Sequence, residues 1–110
     1  LITSTLEECF AELDNLLSDE DKKYIQNSDS EKIMIDFHHS LGQHLRNSWD
    51  LWKESPLSNY FNKLGIDHPD DMSGIILDSY WRMKHNEPIA LNAQIQHYKD
   101  YWAKNPYSVE

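Results

Sequence analysis

Leu6, Cys9, Phe10, Leu13 and Leu17 are spaced three or four positions apart, the repeat that lines one face of an α-helix. Ahead of them, Thr5-Leu6-Glu7-Glu8 has the Ser/Thr-x-x-Glu form of a capping box, so a first helix is expected over about 5–17. Ser18-Asp19-Glu20-Asp21 renews the signal with a cap followed by acids that suit the positive end of a helix dipole. It predicts a short second helix carrying Tyr24 and Ile25 and ending near Asn27. Ser28-Asp29-Ser30-Glu31 starts the longest pattern, Ile33, Phe37, Leu41, Leu45, Trp49 and Trp52. Steps of four drift around a 3.6-residue helix, so this helix, over about 29–52, is expected to be buried on more than one side, with Trp49 and Trp52 in the core. Gly42 inside it costs about 1 kcal/mol relative to Ala, which predicts a neighbouring backbone packed close against it.

The second half is punctuated by proline and glycine. Ser55 as cap and Pro56 at the first helical position open a fourth helix with Leu57, Tyr60, Phe61 and Leu64. Gly65 ends it as a left-handed cap, with Ile66 folding back. In Asp67-His68-Pro69-Asp70-Asp71, either Asp67 or His68 caps a fifth helix that Pro69 begins. Met72, Ile75, Ile76, Ser79, Tyr80 and Met83 form one face of that helix, and Leu77 and Trp81 form a second, which places it near the centre of the domain. Asn86-Glu87-Pro88 reads as a loop before a sixth helix over about 91–103, striped by Leu91, Ile95, Tyr98 and Trp102. The expected fold is therefore all-α: a single compact bundle of about six helices spanning 1–110, with no linker, repeat or low-complexity tract. Tyr98 and Trp102 are expected in the core; Tyr101 and Tyr107 stay open between core, dimer contact and partner anchor.

Composition supports helices, since three glycines and four prolines are too few for a turn-rich β fold. One cysteine, Cys9, rules out an internal disulfide and a CxxC-type metal or redox site, and suits a reducing compartment. No run of about 18 apolar residues exists, and no basic-then-apolar leader opens the sequence, so a cytoplasmic location is expected. The net charge of −9 is uneven. Residues 1–31 hold nine acids against Lys22 and Lys23, a balance of −7. Such a surface repels nucleic acid and anionic lipid and steers a basic partner; acidity kept for solubility explains the same composition.

Candidate chemistry is thin. His38, His39 and His44 share a helix, yet none is four residues from another, and His39 and His44 lie about 140° apart around it, so joint metal ligation is disfavoured. Asp70 and Asp71 are helix neighbours diverging by about 100°, which rules out a proton-sharing dyad. Cys9 lies in an apolar stripe, and no nucleophile elbow or phosphate-cradling glycine loop is present. No cofactor, metal or catalytic residue is assigned. Gly65, Pro69, Asp70 and Asp71 read as a joint between helices. The two arginines, Arg46 and Arg82, sit on helices expected to be central, and Arg46 is expected to pair with Asp70 or Asp71.

Leu41-Gly42-x-x-Leu45-Arg46-Asn47-x-Trp49-x-Leu51-Trp52, followed by His68-Pro69-Asp70-Asp71-x-Ser73 and a helix bearing Trp81, resembles a family of small bacterial helical proteins of unassigned chemistry. The likeness runs from about Leu6 to Trp102. Some small acidic helical proteins of this sort resemble immunity proteins of polymorphic or contact-dependent toxin systems. The resemblance implies a non-enzymatic antitoxin that occludes a cognate toxin domain, expected to be a basic nuclease. The contact is expected on Glu7, Glu8, Glu12, Asp14, Asp19, Glu20 and Asp21. Two other classes compete with it: a regulatory or adaptor domain, and a metal-dependent enzyme built from the histidines with Asp70 or Asp71.

Overall fold

The computed structural model describes residues 5–104. It is all-helical, and among the described residues there is no strand. Helix α1, Leu6–Leu16, begins at the anticipated capping box: Glu8 N–H donates to Thr5 Oγ1 (3.3 Å) and Thr5 N–H to Glu8 Oε1 (3.2 Å). Helix α2, Asp19–Asn27, is capped by Ser18, whose Oγ accepts from Asp21 N–H at 3.1 Å.

The third helix departs from expectation in winding, length and burial. Helix α3 is a chain of four segments: a 3₁₀ turn at Glu31–Met34, an α segment at Ile35–Phe37, a π stretch at His38–Gly42 and an α segment at Gln43–Ser48. A π turn holds more residues than an α turn, so steps of four no longer drift. Phe37, Leu41 and Leu45 stay on the core side, while Ile35, His39, Gln43 and His44 are exposed. The helix thus buries one side rather than several. It stops at Ser48 because Asp50 adopts a left-handed conformation (φ 54°) and turns the chain back, with Leu51 N–H reaching Arg46 O at 2.9 Å. Leu51 therefore takes the buried position. Trp49 packs half-buried against the core, but Trp52 is 60% exposed, contrary to its expected core role. It lies outside, its indole N–H on Asn47 Oδ1 (3.1 Å) and its ring 5.9 Å from the Arg46 guanidinium.

Helix α4, Pro56–Lys63, is capped by Ser55 and closed by Gly65 at φ +91°. Gly65 N–H donates to Asn62 O (3.0 Å) and Ile66 N–H to Phe61 O (2.9 Å), the paired bonds of a Schellman turn. Helix α5, Pro69–Lys84, has His68 as its cap residue and is the centre of the molecule. Every other helix packs on it, and nine of its residues are buried, Tyr80 and Trp81 among them. Helix α6, Leu91–Lys104, buries only Gln94 and Ile95.

Polar pins cross this core. Tyr80, fully buried, donates its hydroxyl to Asp14 Oδ1 at 2.7 Å, and Lys84 Nζ approaches the same oxygen at 2.9 Å, fixing α1 to α5. Trp81 donates its indole N–H to Ser28 Oγ (2.9 Å). The Trp81 ring stacks on His85, whose two ring nitrogens lie 2.8 Å from Trp81 O and 3.0 Å from Ser28 O. Gly42 meets side chains rather than the neighbouring backbone expected: a Cβ there would stand 3.1 Å from the Arg46 guanidinium and 3.8 Å from Ser73 Oγ.

Candidate functional site

The acids of α1 and α2 do not form one uniform surface. Glu7, Asp19 and Glu20 are exposed and Glu12 and Asp21 are half-buried. Glu8 serves the capping box, and Asp14 is held by Tyr80 and Lys84. Burial works against the Asp14 charge, but hydrogen bonds from Lys84 and Tyr80 outweigh it and keep the carboxyl below its ordinary range. Lys22 is likewise engaged, donating to Asp14 O at 3.0 Å and lying 3.7 Å from Asp19. The same two helices expose Leu16 (44%) and Tyr24 (49%), large apolar groups within the acidic third of the chain.

A second site arises where α6 crosses the start of α5. The Gly65 reversal and Pro69 place His68, Asp70 and Asp71 at one end of α5. On α6, His97 and Tyr101, and beside them Tyr98 and Trp102, stand four residues apart and form two adjoining rows. Together these seven residues line a cleft of about 540 Å³, within the range of small-molecule sites.

The walls of the cleft are tied to one another. His68 stacks on Trp102 at 3.8 Å with 18° between the planes, and Tyr101 meets Trp102 edge-on at 5.1 Å. Trp102 donates its indole N–H to Asp71 Oδ2 at 2.7 Å. Burial raises the pKa of Asp71 above its ordinary value, and the Trp102 bond offsets only part of that. Asp70 turns elsewhere: its Oδ1 lies 3.2 Å from Arg46 Nε. That contact is an ion pair without hydrogen-bond geometry, since the buried Nε–H finds no acceptor, while Arg46 donates another N–H to Ser73 Oγ at 2.9 Å. The anticipated joint between α3 and α5 thus exists, made by Asp70 and not Asp71.

Behind the cleft, Tyr98 reaches over Gly74. A Cβ at Gly74 would stand 2.7 Å from the Tyr98 hydroxyl and 3.2 Å from the His38 ring. Burial, aided by Asp78 and Asp71, pushes the Tyr98 phenol up to about 12. Burial and the Arg46 charge hold His38 below the usual imidazole value. His39 and His44 are exposed, and His44 Nε2 contacts Ser48 Oγ at 3.3 Å. Among the described residues, no three histidine, cysteine, aspartate or glutamate side chains converge as metal ligands. Cys9 is fully buried and its thiol is pushed up to about 12, chiefly by burial, which makes it a poor nucleophile.

Sequence reasoning favoured a helix joint for His68, Asp70 and Asp71, with a metal site as the rival reading, and missed the cleft they share with α6. The available signal was the pairing of His97 with Tyr101 and of Tyr98 with Trp102 at i, i+4, which concentrates aromatic surface on one end of a helix. Tyr101 is 47% exposed and Trp102 half-buried; Tyr107 lies outside the described residues. No helix among the described residues is long and apolar enough to cross a membrane.

Residues 2–84 match a family described as Domain of unknown function (DUF6794), a span that holds helices α1 to α5 and stops short of α6. No curated protein and no solved structure matches the chain.

Proposed function

The chain belongs to the DUF6794 family, and from that premise and the geometry above we propose that it is a non-catalytic, cytoplasmic immunity protein. It binds a cognate toxin domain of basic charge, such as a nuclease, and covers that domain's active site. The observation that carries this reading is the α1–α2 surface, where Leu16 and Tyr24 stand exposed within the stretch that holds Glu7, Glu12, Asp19, Glu20 and Asp21. Apolar anchors inside a charged rim are the recipe of a tight and fast interface: the anchors slow dissociation and the charges speed encounter. Asp14 and Glu8 contribute to this protein's own fold, which leaves the remaining five acids to face a partner. A surface of net negative charge also repels nucleic acid, so the reading is of a protein that binds the nuclease and not its substrate.

The test is co-expression with the product of the adjacent upstream gene, followed by purification and a nuclease assay with and without this protein. A complex that suppresses cleavage and weakens as salt rises is expected. Glu12→Lys with Glu20→Lys should weaken it about tenfold or more, while the lost acid in the first turn of α2 costs only about 0.3–1 kcal/mol of stability. A complex indifferent to both salt and charge reversal, or an upstream product that neither binds nor cleaves, would refute the proposal.

A further inference from the structure

We propose that the cleft between α5 and α6 is a binding site for an organic ammonium group. This site is separate from the acidic α1–α2 surface and stands or falls independently of it. The first observation is Asp71. Its carboxylate is half-buried, and among the described residues no lysine, arginine or histidine forms an ion pair with it. One of its oxygens accepts from Trp102, and the other has no hydrogen bond within the described chain. A half-buried carboxylate whose charge is favoured within the chain only by the Trp102 bond and the nearby His68 and His97 rings is stabilised further by a cation brought from outside. Burial already disfavours its charged form and raises its pKa, so a cation arriving in the cleft offsets that cost.

The second observation is the lining. Tyr98, Tyr101 and Trp102 supply aromatic surface around the same space, and aromatic faces attract cations through their quadrupoles. Trp102 is held in place from two sides, by His68 stacked on its ring and by Asp71 at its N–H, so little ordering is left to be done on binding. The positive end of α5 opposes a cation by about half a charge; the full charge of Asp71 exceeds it. Asp70 does not add to the attraction in full, because Arg46 lies 3.2 Å from it. A volume of about 540 Å³ accepts a methylated amine or the end of a lysine side chain.

The ammonium chemistry is common to a free small amine and to a lysine of a partner protein, and the experiment separates them. The full chain is titrated in mildly alkaline buffer with choline, with its uncharged isostere 3,3-dimethylbutan-1-ol, and with a short lysine-containing peptide. The indole N–H resonance of Trp102, assigned by its loss in Trp102→Phe, is the readout. Choline should shift that resonance saturably and the isostere should not. Asp71→Asn keeps an oxygen for the Trp102 N–H but removes the charge, and should weaken choline binding about tenfold or more. A peptide binding about tenfold tighter than choline identifies a protein lysine as the ligand; comparable or weaker binding identifies a free amine. Equal shifts from choline and the isostere, undiminished binding in Asp71→Asn, or no shift with choline at millimolar concentration would overturn the proposal. The isostere comparison uses the unaltered protein, so it stands even if a variant folds poorly.

Discussion

Replacing Tyr80 by phenylalanine removes a single oxygen from the centre of the protein and tests whether Asp14 belongs to the fold or to a partner surface. The ring stays where it is, 6.1 Å from Phe10, so almost no packing is lost. What disappears is the 2.7 Å hydrogen bond to a charged acceptor, a class worth about 1.5–3 kcal/mol. Asp14 keeps Lys84 at 2.9 Å, and its side chain is 40% exposed, so water replaces the lost donor and the lower end applies, about 1.5 kcal/mol. At about 4 °C per kcal/mol for a domain of this size, the melting temperature should fall by about 6 °C. Asp14→Ala should cost more, about 2–3 kcal/mol, because it leaves the buried hydroxyl without an acceptor. The double variant should show a coupling of about 1 kcal/mol or more. Acid titration adds an independent check. The Asp14 carboxyl is held below its unfolded value, so in acid the unfolded chain takes the proton first, and the stability from this group is lost as pH falls from the ordinary carboxylate range through the folded value. Without the Tyr80 donor that loss is smaller, and the two proteins converge in stability as pH falls. Thermal denaturation reads the melting temperature, and urea denaturation followed by circular dichroism reads the free-energy losses, their coupling and the pH dependence. A Tyr80→Phe protein within about 0.3 kcal/mol of the parent, or strict additivity with Asp14→Ala, would refute the clamp.

Three further outcomes follow from single residues. His38 is held below the ordinary imidazole value, so the unfolded chain binds its proton before the folded one does, and stability should decline as pH falls below about 6.5; in His38→Gln that part of the slope should flatten, as read from urea midpoints across the range. Gly65→Ala forces a left-handed conformation on an L side chain and should cost about 1–2 kcal/mol, measured by thermal denaturation, even though the Lys99 chain lying over the position can move aside. Cys9 should resist alkylation by iodoacetamide in the native state and react only in denaturant; rapid native labelling would contradict its burial.

The helix boundaries that sequence made legible are those set by neighbouring residues. Thr5 with Glu8, Ser55 with Pro56, and Gly65 with Pro69 each act within one turn, so their chemistry can be read locally. Position 50 defeated the same reasoning, because an aspartate gives little warning that it will adopt a left-handed backbone; the end of α3 and the exposure of Trp52 both hang on it. The cleft was illegible for a different reason. Asp71 and Trp102 are 31 positions apart, and Tyr80 and Asp14 are 66 apart, so their partnerships exist only after the helices have been placed. The joint between Arg46 and Asp70 was foreseeable in kind, since a guanidinium on a central helix needs a carboxylate, but its choice between two adjacent acids is made by packing.

The π stretch in α3 bears on which length changes this chain can accept. A regular helix that loses one residue rotates everything beyond the deletion by about 100°, which would swing Leu45 out of the core and Arg46 away from Asp70. At His38–Gly42 the extra residue is already stored in a widened turn whose outer members, His39 and Ser40, are exposed. Removing one of them lets the turn close to ordinary α pitch while Phe37 and Leu45 keep their phase. Single-residue gaps among natural variants of this domain should therefore gather at 38–42, and α5, which has no such slack and is buried nearly all round, should keep a fixed length.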